Sequence, residues 1–77
     1  MTMLSVTPPR GLQAVLSNDY LREEVDALIG DNIQADVTDF QYIAASNTLV
    51  LDIQGTCTRA ELGDLYQELL NLQKYVA

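Results

Sequence analysis

The stretch Phe40-Gln41-Tyr42-Ile43-Ala44-Ala45-Ser46-Asn47-Thr48-Leu49-Val50-Leu51-Asp52-Ile53 decides the fold. Ser46-Asn47 reads as a two-residue hairpin turn, because Asn tolerates the positive φ that such turns need. That turn sets Ala45 against Thr48, Ala44 against Leu49, Tyr42 against Leu51 and Phe40 against Ile53. Phe40, Tyr42, Ala44, Leu49, Leu51 and Ile53 then share one face. A slip of one residue scatters them, so turn and pattern agree. The opposite face holds Gln41, Thr48 and Asp52, with Ile43 directly across from Val50.

Downstream, Gly55 ends the second strand. Thr58-Arg59-Ala60-Glu61 is a capping box. It opens an apolar stripe of Leu62, Leu65, Tyr66, Leu69, Leu72 and Val76, widened by Leu70. The spacing predicts a helix over about residues 59–75. Glu61, Asp64, Glu68 and Asn71 fall on its polar side. Gly63 costs about 1 kcal/mol relative to Ala and suggests a close packing approach.

Upstream, residues 31–38 read either as an edge strand or as an extended loop. Ile33, Ala35 and Val37 alternate with Gln34, Asp36 and Thr38. Before them, Leu21, Val25, Leu28 and Ile29 make one apolar stripe, predicting a helix over about 19–29 with Gly30 as its C-cap. Ser17-Asn18-Asp19 supplies capping side chains. Thr7-Pro8-Pro9 is punctuation, and Leu12, Val15 and Leu16 predict a short helix starting near Pro9.

The expected order is helix, edge strand, β-hairpin, helix. Both helical stripes lie on the Phe40/Leu51 face of a small antiparallel sheet, and the other face stays open. This is an α+β fold of two layers. Residues 1–77 make one small domain, with 1–8 as a flexible lead-in.

Composition narrows the function. The 77 residues hold 11 acidic and 4 basic side chains, one Cys, no His and no Trp. A chain this short buries only about 60% of the surface its unfolded form exposes, which makes association attractive. A net charge of −7 opposes direct contact with nucleic acid or anionic lipid. The longest apolar run, Tyr42-Ile43-Ala44-Ala45, is far too short for a membrane span. Met1–Arg10 shows no basic leader followed by an apolar core. A lone Cys forms no internal disulfide, so the expected setting is a reducing cytoplasm.

Candidates for chemistry are few. Cys57 precedes a helix start, where a thiol pKa can fall. No His stands ready to activate it, and Lys74 is the sole Lys. Ser and Thr nucleophiles lack the same partner. Asp36 with Asp39, and Glu23 with Glu24, are carboxylate pairs that acid–base work would place in a cleft. Asp31–Asp36 lacks the alternating oxygen ligands, central Gly and terminal Glu of a calcium loop. No Cys/His set suits zinc. The expectation is a protein without catalytic activity, cofactor or metal.

The surface is more informative. Asp19, Glu23, Glu24, Asp26, Asp36 and Asp39 concentrate negative charge, relieved only by Arg22. One reading is a solvated face that keeps a small protein soluble. The sharper one is a phosphate-mimicking ridge that fits a basic nucleic-acid site on another protein. An inhibitor of that kind has the character of small phage antagonists of host defence or transcription. The alternative is a structural subunit or adaptor, for instance of a virion. Its apolar contacts would come from Ile43, Val50, Leu70 and Tyr75, and a second copy of this chain is one candidate partner.

Overall fold

The computed structural model describes residues 2–76. The first strand, β1, spans Thr2–Val6. A 3-10 turn at Arg10–Leu12 runs into the short helix α1, Gln13–Leu16. A second 3-10 turn, Asp19–Leu21, leads into α2, Arg22–Asn32. Strand β2 covers Asp36–Ile43 and β3 covers Thr48–Gln54, joined through a 3-10 turn at Ala44–Ser46. Helix α3, Arg59–Leu70, ends in a 3-10 turn over Asn71–Tyr75. The sheet is antiparallel in the order β1-β3-β2, so β3 is central.

The α+β, two-layer arrangement expected from the sequence is what forms. Leu12, Val15, Leu16, Leu21, Val25, Ile29, Leu65 and Leu69 come from the helical layer to meet Phe40, Leu49, Leu51 and Ile53. The core lies on the Phe40/Leu51 face of the sheet. The capping box is present in full: Thr58 Oγ1 accepts from the Glu61 N–H, and Glu61 Oε1 accepts from the Thr58 N–H.

Several details depart from expectation. Residues 2–6 are an edge strand rather than part of a flexible lead-in, since β3 supplies them with a ladder from Thr2↔Ile53 to Val6↔Leu49. Residues 36–38 are no separate edge strand: they begin β2 itself. A bulge between Val37 and Asp39 inserts Thr38, whose hydroxyl donates to the Asp52 carbonyl. That extra residue carries the apolar side from the odd positions 33–37 to the even positions Phe40 and Tyr42.

The hairpin register is displaced by two residues. Phe40 faces Leu51, Tyr42 faces Leu49 and Ile43 faces Thr48. The connection is four residues, Ala44 to Asn47, not two. Asn47 alone takes the left-handed conformation, φ 48° and ψ 53°. A displacement of two keeps every strand side chain on its face, so the core is that of the expected hairpin. Ala44 is the exception: it leaves the sheet for the exposed turn.

Helix α2 does not stop at Gly30 but runs to Asn32. There the Ile33 N–H bonds the Ile29 carbonyl, and Asn32 Nδ2 caps the Leu28 carbonyl. Gly63 is no close-packing site either. A Cβ there meets nothing within 4 Å.

Candidate functional site

Helix α2 crosses the core face with Val25 and Ile29 buried. That packing fixes its rotation. Arg22 and Asp26, four apart, share the flank beside β2. Asp19 enters from the preceding 3-10 turn and Asp39 from the outer strand. Together with Glu23 they line a groove of about 470 Å³ along the β2 edge.

Arg22 organises its floor. Its guanidinium carbon sits 4.3 Å from the centroid of the Phe40 ring, close enough for a cation–π contact. Its Nη2 donates to the Phe40 carbonyl at 2.9 Å and approaches Asp39 Oδ1 at 3.4 Å. The same Asp39 oxygen accepts the Phe40 N–H at 2.8 Å. Both partners of the ion pair are more than half exposed, so the pair itself contributes little stability. Its effect is positional: it holds Asp39 at the groove wall. Asp19, Glu23 and Asp26 line the same groove as this Arg22–Asp39 pair.

The structure therefore brings Asp19, Glu23, Asp26 and Asp39 together. Glu24 and Asp36 do not line the groove. Glu24 is turned away by helical rotation, two residues on from Arg22. Asp36 precedes the bulge, pairs with Gln54 and is exposed.

The apolar candidates divide between layers. Ile43 and Val50 lie on the open sheet face as diagonal neighbours, since Ile43 faces Thr48 and Gln41 faces Val50. Their directly opposed placement does not form, because the register is displaced. Leu70 packs against the core instead. Tyr75 is exposed in the last 3-10 turn, under Lys74 Nζ. The sequence pattern alone does not single out Met3, which β1 brings to the same open face, 65% exposed. Its signal was the Thr2–Val6 alternation, legible only with a partner strand in view. Beside it, Asp52 Oδ1 is closed off from solvent with no hydrogen-bond partner among the described residues.

Cys57 is partly exposed, and burial together with the Glu61 carboxylate pushes its thiol above the ordinary range. Glu61 accepts the Gln34 and Thr58 N–H groups, which hold its carboxyl below the usual range. Among the described residues no group of three His, Cys, Asp or Glu could hold a metal ion. No described helix is long and apolar enough to cross a membrane. No family model, curated protein or solved structure matches the chain.

Proposed function

We propose that this chain is a non-enzymatic protein-binding module whose acidic groove occupies a basic surface on a larger protein. The observation that carries this reading is that Asp19, Glu23, Asp26 and Asp39 line one groove with an already engaged Arg22. Carboxylates held apart by a helix and a strand match spaced cations better than a mobile acidic tail does. The concave shape concentrates their field. A basic surface so matched is one that handles nucleic acid, and the module acts there as a competitive inhibitor, as small phage antagonists of host defence or transcription do. The setting is cytoplasmic.

The test is affinity capture from the source cell's lysate with stepped salt elution, repeated with Glu23→Lys/Asp26→Lys. A nucleic-acid-handling protein released at modest salt from the native chain, and not retained by the variant, supports the reading. Capture at full strength by the variant removes the groove from the function.

A second reading has its own observation. The open sheet face carries Met3, Ile43 and Val50 beside an Asp52 oxygen that has no partner among the described residues. A structural subunit of a larger assembly would seat a partner there and supply the missing donor. Ile43→Asp would then dissolve the assembly while sparing binding at the groove.

A further inference from the structure

The two edges of the sheet are protected very differently. The β2 edge carries a bulge at Thr38, two Asp residues and the Arg22 side chain on the Phe40 carbonyl. These are devices that stop another strand from adding. The β1 edge has none of them. Thr2–Val6 holds no charge, no Pro and no bulge, and β3 is the only described element in substantial contact with it.

The backbone groups on that edge are placed by alternation. Phe40 directs its N–H to Asp39 and its C=O to Arg22, both outside the sheet. Phe40↔Leu51 is therefore a non-hydrogen-bonded pair, and Leu51 turns its own groups toward Leu4 on β1. The Asp52 carbonyl agrees, since it faces β2 and takes the Thr38 hydroxyl. It follows that Met3 and Ser5 point their N–H and C=O groups outward, where no described residue meets them.

We propose that the β1 edge pairs with β1 of a second copy of this chain, antiparallel about a twofold axis at Leu4. In that register Met3 of one copy exchanges both N–H···O bonds with Ser5 of the other. Leu4 meets Leu4 at the close, non-hydrogen-bonded position, where side chains touch. The half-buried Leu4 and Val6 gain cover, and two three-stranded sheets become one. Charge favours this edge for self-association. The net −7 opposes most contacts between copies, and β1 lays an uncharged strand against its equal while the acidic β2 edges stay farthest apart. The pairing is isologous and closed, so it ends at a dimer. It does not depend on what the acidic groove binds.

Sedimentation over a concentration series tests it. The native chain should form a concentration-dependent dimer. Ser5→Pro removes one outward N–H and no bond to β3, so the fold should persist by circular dichroism while the dimer weakens at least about tenfold. Met3→Lys serves the same end if the Pro variant fails to fold. Leu4→Cys in a Cys57→Ser background should oxidise to a covalent dimer. A native chain that stays monomeric into the millimolar range overturns the proposal. So does a dimer that survives both edge variants, or one lost in Ile43→Asp but kept in Ser5→Pro, which would put the contact on the open face.

Discussion

Asn47 ties three segments together through one side chain. The Tyr42 hydroxyl donates to its Oδ1 at 2.7 Å, and its Nδ2 donates to the Pro8 carbonyl at 2.9 Å. Its backbone meanwhile supplies the left-handed residue of the hairpin. Asn47→Gly keeps that conformation at no steric cost and loses both hydrogen bonds. A loss of about 1–3 kcal/mol is expected in urea unfolding. Tyr42→Phe loses one of the two bonds, and the double variant should cost less than the singles summed. Additivity would show that the Tyr42 bond is not coupled to the turn. Asn47 also shows where the sequence stops being legible. Strand alternation has a period of two, so a two-residue displacement of register leaves no trace in the hydrophobic pattern. Asn as a turn residue is readable at once. That it closes a four-residue connection by reaching Pro8, 39 positions away, is a tertiary fact.

Glu61 accepts backbone N–H groups from two segments, at Gln34 and at Thr58. Its folded pKa lies below the ordinary value because two backbone N–H groups bond the ionised carboxyl. An ionised form favoured by folding means that the unfolded chain binds the proton more readily. This contribution is therefore complete above the ordinary glutamate range, near about pH 4.3, and is lost as pH falls through the depressed folded value. Glu61→Gln should be less stable at neutral pH and show a shallower decline in acid unfolding. Equal slopes would mean that Gln34 and Thr58 do not discriminate between the two forms.

At the scale of elements, the helices hold two correctable positions. Gly30 lies inside α2 and Gly63 inside α3, and a Cβ at either meets nothing within 4 Å. Each substitution to Ala should add roughly 0.4–1 kcal/mol, about 4–8 °C per kcal/mol for a domain of this size. Gly55→Ala is the contrast. Its φ of 112° and an Ala35 Cβ at 3.2 Å make that change destabilising. Thermal melts of the three variants should therefore shift in two directions. The stripes of α2 and α3, the capping box and the hairpin faces were all legible, because each is a short-range periodicity or cap. Strand β1 was not. Its partner residues lie 43 to 51 positions away in sequence. The bulge at Thr38 left a trace, the change from odd to even apolar positions between Val37 and Phe40. That trace has meaning only once 33–43 is treated as a single extended run.

For the whole molecule, charge sets two salt dependences of opposite sign. Only one ion pair, Arg22–Asp39, occurs among the described residues, and it is exposed. The remaining acidic side chains have no such partner among these residues and repel one another, and Asp19, Glu23 and Asp26 do so along one groove. Self-repulsion of this kind opposes the compact state. Raising ionic strength from about 0.01 M to about 0.15 M shortens the screening length from about 30 Å to about 8 Å. The melting temperature should rise by a few degrees over that range. A fold held by surface ion pairs would instead soften. If the groove binds a basic partner as proposed, that binding should weaken over the same range, because screening reduces an attraction between molecules as it reduces a repulsion within one. The acidic total was plain in the sequence, but its focus was not. Asp39 joins Asp19, Glu23 and Asp26 through tertiary packing, while Glu24 and Asp36 diverge through helical rotation and the bulge. Glu24→Gln and Asp36→Asn should consequently leave the salt slope of binding nearly unchanged. Glu23→Gln and Asp26→Asn should flatten it. If all four neutralisations flatten it equally, the partner senses net charge alone and the groove has no part in recognition.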